Sequence, residues 1–437
     1  MKKRLKFPND QGREAVYLAG MAVNSLIVKL PVGTAYGIGI VLMVMMRGRL
    51  SANKGSLASA VYPLVIGIKW GWHRVERALE RGKVKVDDLF DKLVEWCVEN
   101  LEVEEVRVGK EKRKVEAVDS TTIARWRAGK GLKWIGKGYC GRVGKAVKAN
   151  VVAVVTRVVM VKGVRVGMVR RVRFGETSEE AVKAVIKVKE EGEGKRVVVV
   201  DAGIATYEQF SEATETDALV GRLRRNCVLA YPKPERTGKR GRPREKGEEL
   251  RPGAAEPGRE ADESDEVEGE DGRILRVRRW RGLILPNFPA CQVEVVRVDD
   301  PKFKDPLLIG CTAQELTTEE IRLTYRNRWP VETNFFVGQN TTAMEAPRAW
   351  QQTATERRIG LAILAGSLLQ MIAANCEAIP TGPWDRQPTP PAGRLARVLD
   401  ASIILFSEVA LKGVVSRNYR KNPFHCVFNK LQKKPAA

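Results

Sequence analysis

Two aspartates stand directly behind β-branched runs, Asp119 in Val-Glu-Ala-Val-Asp and Asp201 in Val-Val-Val-Val-Asp. In an open α/β sheet, ligands gather at the carboxyl ends of strands. Two carboxylates converging there repel unless a cation sits between them. A third carboxylate, Glu332, belongs to the run Tyr325, Arg328, Glu332, Gln339, whose separations of three, four and seven residues lay all four along one helical face. Trp329, Phe335 and Phe336 flank that stripe and are large apolar residues that want a core nearby. Pro330 cannot donate to the carbonyl of Arg326, so the helix should kink there, leaving Glu332 in the first turn of the second half. Asp and Glu oxygens are hard ligands suited to Mg²⁺. Two such ions about 3.5–4 Å apart can activate an attacking oxygen and stabilise the leaving one. Arg328 could fork onto a phosphate through two donors. The chemistry within reach of these residues is cleavage of a phosphodiester.

The charge of the chain points to the same substrate. Its 437 residues carry 76 Lys+Arg against 53 Asp+Glu, a net +23. Ser120 to Gly175 holds 14 Lys+Arg and no acidic residue in 56 positions. Within that tract Trp126, Trp134 and Tyr139 alternate with Arg125, Arg127, Lys130, Lys133, Lys137 and Arg142. A polyanion explains such a tract, because each neutralised phosphate releases counterions. Arg125, Arg127, Lys130 and Lys133 are the expected phosphate contacts. A second basic run, Arg240-Gly-Arg242-Pro-Arg244, suits a narrow A·T-rich minor groove. Anionic lipid competes as a partner, but no amphipathic basic helix supports it.

Other classes are poorly supplied. Seven cysteines without CxxC spacing and two histidines argue against a zinc site or a His-based triad, and the thiols read as reduced and intracellular. The basic start leads into polar residues, so no signal peptide is expected. Leu30 to Met46 is uncharged for 17 residues but contains Pro31 and three glycines, and reads as a buried core helix rather than a membrane span. No Gly-x4-Gly-Lys-Ser/Thr loop supports an NTPase, and neither aspartate is followed two residues on by another.

The elements that must position these residues follow from the pattern. A composition that is 43% apolar allows two or three domains and excludes wholesale disorder. Residues 1–110 read as mostly helical. A short strand over 115–118 ends at Asp119, and strands 150–160 and 164–174 are joined by Lys162-Gly163. A capping box at Thr177 opens a helix to about Glu190. A strand over 196–200, a helix over 206–213 and a strand over 218–224 follow. Three early strands and then alternating helix and strand describe a ribonuclease-H-like α/β core. Residues 232–246 are basic and turn-rich. The stretch from Glu248 to Gly272, with eleven acids and two arginines, reads as low-complexity and disordered. Strands resume over 274–280, 283–285, 292–297 and 307–311. A capping box at Thr317 starts the helix to Gln339, and a long apolar helix spans 349–376.

The ordered set Val-Asp119-Ser-Thr-Thr, Val-Val-Asp201-Ala-Gly and Tyr325-x2-Arg328-x3-Glu332-x6-Gln339 resembles the DDE transposases of bacterial insertion sequences. More narrowly it is similar to the group with a Tyr-Arg-Glu-Lys signature on the last catalytic helix. Arg224 to Gly247 and Leu316-Thr-Thr-Glu-Glu-Ile resemble further segments of those proteins, so the likeness covers about 115 to 350. It implies a ribonuclease-H-like core with a strand-rich insertion, arranged as a helical domain (1–110), the core (111–226), the insertion (227–312), the catalytic helix (313–345) and a helical C-terminal region (346–437). It also implies endonuclease cleavage at transposon ends and strand transfer into target DNA. Asp119, Asp201 and Glu332 would hold two Mg²⁺ ions, with Mn²⁺ able to substitute, and Tyr325, Arg328 and residue 339 would contact DNA. The implied partner is double-stranded DNA, bound by a dimer when two ends are paired, in the cytoplasm at the nucleoid and away from membranes. Gln339 stands where the family has Lys. The alternative is a catalytically inactive or repurposed DNA-binding protein of the same fold.

Overall fold

The computed structural model describes residues 10–61, 71–125, 132–141, 143–188, 194–234, 246–269, 271–380, 385 and 387–416. Helices come first: α1 (Asp10–Ile27), α2 (Val32–Met46), α3 (Arg49–Ala52), α4 (Leu57–Val61), α5 (Gly71–Arg81) and α6 (Val86–Asn100). Strands β1 (Val103–Glu105), β2 (Arg107–Val108), β3 (Arg113–Ala124), β4 (Ile135–Cys140), β5 (Lys145–Val161) and β6 (Val164–Gly175) follow. Next are α7 (Ser178–Ile186), β7 (Arg196–Val200), α8 (Tyr207–Ser211) and β8 (Asp217–Arg222). Strands β9 (Leu229–Ala230), β10 (Glu249–Leu250), β11 (Glu263–Glu268), β12 (Ile274–Leu285), β13 (Phe288–Asp299) and β14 (Leu307–Cys311) come before α9 (Thr318–Arg326) and α10 (Trp329–Asn340). Helices α11 (Gln352–Asn375), α12 (Ala392–Ala401) and α13 (Ile403–Ser416) close the described chain. The fold is mixed α/β. It divides into two compact units, one of Met1–Glu104, Ser120–Ala181 and Val331–Ala437, the other of Glu105–Asp119 and Val182–Pro330.

The first unit is a helical assembly on a β-hairpin. The charge-free α2 is buried along most of its length and packs against α1, α5, α11 and α13. This is the core helix expected from its composition. Helix α11 is long and apolar enough to cross a membrane, yet 94% of its apolar window is buried here against β6 and neighbouring helices. Polar pins hold α10 and α11 to β6: Asn334 donates to the Gly167 carbonyl at 2.9 Å, and the Val169 N–H donates to Ser367 at 3.1 Å. Strands β5 and β6 turn at Lys162-Gly163, both with positive φ (46° and 78°), the geometry of a two-residue primed turn. The end of β3 runs beside β5, with the Arg125 N–H donating to the Lys148 carbonyl at 2.7 Å.

The second unit is a large mixed sheet in the order β3-β7-β8-β14-β13-β12-β9-β10, with β2 on β3 and β11 on β12. Strands β3, β7 and β8 are parallel and the remaining pairs antiparallel. Every residue of β7 is buried, which suits a valine run between two parallel neighbours. Beneath them Arg196 donates to Glu116 on β3 at 2.7 Å and to Asp217 on β8 at 2.9 Å. The side chains of Arg196 and Glu116 are each only 2% exposed. A third donor of Arg196 reaches the Ile186 carbonyl at 2.7 Å, closing the end of α7.

Three expectations are corrected. The acidic stretch is ordered in part: β11 pairs with β12 along its whole length, setting Glu263 opposite Arg279 and Glu266 opposite Arg276. Its charge is neutralised across the strands, so repulsion does not keep it unfolded. Strand β3 does not end at Asp119 but continues to Ala124. Helix α7 stops at Ile186, four residues short of the expected end. The break expected at Pro330 divides the helix over 317–339 into α9 and α10, parted at Asn327-Arg328, with Glu332 in the first turn of the second. Every cysteine among the described residues is a free thiol.

Replacing Arg196 by Met would leave Glu116 buried without its cation, a change that costs about 3–5 kcal/mol. Denaturant unfolding should show that loss for Arg196→Met and recover most of it in Arg196→Met/Glu116→Leu. A loss below about 1 kcal/mol would mean that the guanidinium is not what steadies these strands.

Candidate active site

The parallel register of β3 and β7 pairs Lys114 with Arg196 and Ala117 with Val199. Asp119 lies two residues further along β3, and Asp201 is the residue that follows β7. Continued at the same phase, that register would bring the two carboxylates level on one face of the sheet. Asp201 opens a tight turn, its carbonyl accepting from the N–H groups of Ile204 and Ala205 at 2.9 Å each. The chain then enters α8, whose N-cap Thr206 accepts from the Gln209 N–H at 3.3 Å. Two valine-rich strands of equal phase thus lead to the two acids.

Helix α9 supplies the side chains that meet them. Its start is held by the expected capping box: Glu320 N–H donates to the Thr317 hydroxyl at 3.2 Å, and Thr317 N–H to the Glu320 carboxylate at 2.8 Å. Packed against β7, β8, β13 and β14, it directs Tyr325 so that its hydroxyl donates to Asp201 Oδ1 at 3.1 Å. Just past its end, Arg328 Nη1 stands 3.7 Å from Asp119 Oδ2, an ion pair too long for a direct hydrogen bond. The Arg328 guanidinium also lies 5.7 Å from the Trp329 ring centroid. Burial, and then the charge of Asp201, push the Tyr325 hydroxyl up to about 12, so it is a donor at neutral pH.

The other expected site residues are placed differently. Glu332 is half-buried in the first turn of α10. Gln339 reaches Thr121 Oγ1 on the later part of β3 at 3.4 Å. Arg125 is buried, donates to the Ala349 carbonyl at 2.6 Å, and so serves the packing of its own unit rather than an exposed surface. Lys133 is exposed, and its backbone N–H donates to the Gln352 side chain at 2.7 Å. Arg127, Lys130, Arg240, Arg242 and Arg244 lie outside the described residues. Of the aromatics expected to seek a core, only Phe335 does; Trp329 is 62% exposed and Phe336 66%. The break at Arg328 turns them away from the common face that one continuous helix would have made.

Sequence reasoning missed Arg196, Glu116 and Asp217, which tie together the strands that lead to the two aspartates. The signal was present in Glu116, a charged residue inside the buried run 115–118. Asp119 and Asp201 are hard oxygen donors, whose chemistry fits a divalent cation such as Mg²⁺. Among the described residues, no group of three or more His, Cys, Asp or Glu is arranged to hold a metal ion.

Tyr325 has a consequence for stability against pH. Its folded pKa lies above the ordinary 10.0, at about 12, so unfolding releases a proton between those values. The contribution of this group is full below pH 10 and is lost as pH rises toward 12. Tyr325→Phe should flatten that part of the profile in urea unfolding between about pH 9 and 12, and equal slopes would refute the tyrosine's tight hold on its proton. A scan of the chain against protein-family models finds no match, and a search of the curated proteins finds none.

Proposed function

We propose that this chain is a transposase of the DDE type, cutting DNA at transposon ends and joining those ends to target DNA. The observation that carries the reading is the pair Asp119, on β3, and Asp201, just past the parallel β7, met by Arg328 and Tyr325 from the exit of one helix and from the helix itself. The antiparallel β5–β6 hairpin, the parallel β3, β7 and β8, and the strand-rich segment β9–β14 before α9 support a ribonuclease-H-like core with an insertion. On grounds of sequence order, the third carboxylate is assigned to Glu332.

Mg²⁺ held by these carboxylates supplies charge stabilisation at the phosphate and an activated oxygen. The chain's own groups do the rest. Arg328 balances the charge of Asp119 at 3.7 Å, and its guanidinium is a planar fork of the kind that binds phosphate oxygens. Tyr325 keeps its proton and orients Asp201, holding one oxygen of that carboxylate. The second reading, a DNA-binding protein of this fold without catalysis, is favoured by Gln339, which engages Thr121 where a lysine would offer a cation.

The test is nicking of supercoiled plasmid carrying the DNA that flanks the coding region, with Mg²⁺ or Mn²⁺. Asp119→Asn, Asp201→Asn and Glu332→Gln should each slow product formation by at least about a thousandfold, the loss expected from several kcal/mol of metal stabilisation. Binding of the same DNA in EDTA should persist. Binding without nicking by the parent chain would decide for the second reading.

A further inference from the structure

Strand β11 (Glu263–Glu268) has one paired edge and one open edge. Its hairpin to β12 closes at Gly269, whose N–H donates to the Arg273 carbonyl at 2.7 Å. Main-chain groups alternate in direction along an antiparallel pair, so residues 267, 265 and 263 also turn theirs toward β12. The N–H and carbonyl groups of Ser264, Glu266 and Glu268 therefore point away from the sheet, and they meet no partner among the described residues. Ser264, Asp265, Glu266 and Glu268 are all exposed. A row of unpaired main-chain groups is a template for one more strand.

The side chains along that edge select what can be added. Glu263 is engaged by Arg281 and by Thr318, and Glu266 stands opposite Arg276. Asp265 and Glu268 have Val277 and Ile274 as their register partners, and they form no ion pair among the described residues. A second copy of β11 is refused there, because like charges would lie side by side. A basic strand is accepted. The chain holds such a segment: residues 417–437, which follow α13, contain six Lys+Arg and no acidic residue. Within it the run Phe424-His-Cys-Val-Phe428 is rich in the aromatic and β-branched types that suit a strand. Arg420 and Lys421 precede that run, and Lys430, Lys433 and Lys434 follow it. Ile274, 54% exposed on the face it shares with Glu268, offers the run an apolar contact.

We propose that the open edge of β11 takes residues 420–434 of a second copy of this chain as an added strand. Main-chain groups give the pairing, and Asp265 and Glu268 give the choice of a basic partner. One added strand is a small contact. Two copies that exchange segments make it twice about a two-fold axis, which closes the pair instead of propagating it. DNA plays no part in this contact, so it stands or falls apart from the transposase reading.

The experiment is sedimentation velocity of the full chain without DNA, over a range of concentrations at low and at high salt. The parent should sediment as a dimer at low salt and dissociate at high salt, because exposed charges are screened. Asp265→Lys/Glu268→Lys should weaken the association at least about tenfold, since like charges then face one another. Lys430→Glu/Lys433→Glu/Lys434→Glu should do the same, and a chain carrying both sets should regain the dimer. Ser264→Pro removes one outward N–H and leaves the bonds to β12 intact. It should also give a monomer, which keeps the test decisive if the charge variants fold poorly. Amide hydrogen exchange at Ser264, Glu266 and Glu268 should be slow in the dimer and fast in each monomeric variant. A parent that is monomeric at every concentration, a dimer that survives both charge reversals, or fast exchange at these three amides within the dimer would each overturn the proposal.

Discussion

The guanidinium of Arg196 lies beneath the parallel part of the sheet and bonds to the strands on both sides, through Glu116 and Asp217. A slip of one residue between β3 and β7 would turn Glu116 to the opposite face, and a slip of two would carry it out of reach. Both would strand a charge in the interior, where an unpaired ion is costly. The register so held runs from Lys114 beside Arg196 to Ala117 beside Val199, and Asp119 and Asp201 each follow two residues after that last pair. Glu116 stands three residues before Asp119 and Arg196 five before Asp201, so this ion pair ties together the two strands that lead to the carboxylates. The same arginine takes up the Ile186 carbonyl, which ties the end of α7 to the strand that follows.

A second buried arginine does comparable work on the other side of the unit. Arg279 on β12 is paired with Glu294 on β13 and donates to the Leu316 carbonyl at 2.8 Å and to the Thr318 hydroxyl at 3.3 Å. Thr318 in turn donates to Glu263 on β11. The start of α9 is thereby fastened to the inserted strands, and seven residues on the same helix presents Tyr325 to Asp201. The charged segment after β8 is a brace for the helix that completes the pair. Its acids and arginines are abundant because they answer one another across the strands.

Much of this was legible in local sequence. The capping box at Thr317, the two-residue turn at Lys162-Gly163, the strand at 196–200 and the break ahead of Pro330 each depend on bonds within a few residues. Composition likewise marked α2 as a core helix, since an uncharged run has nothing to offer water. The misreadings have a common origin in partners distant along the chain. Nothing within Glu263–Glu268 announces the arginines of β12 that neutralise it. Nothing around Arg125 announces the Ala349 carbonyl, 224 residues away, that receives it.

The sequence by itself determined which residues could do chemistry, because side-chain type is a local property: two aspartates behind valine runs, a tyrosine and an arginine on a capped helix, and lysines in an acid-free tract. Only the tertiary structure decided which of them meet. A strand's side chains alternate with a period of two, but that period is silent about its register with a neighbour. The buried Arg196 bonds to the strands on both sides of β7, and Tyr325 and Arg328 meet Asp201 and Asp119 from the far end of the chain segment that follows. The exposure of Lys137 and Tyr139 was decided in the same way, by a glycine-lined inner face of the β4–β5 hairpin that packs closely on Glu176 and Thr122.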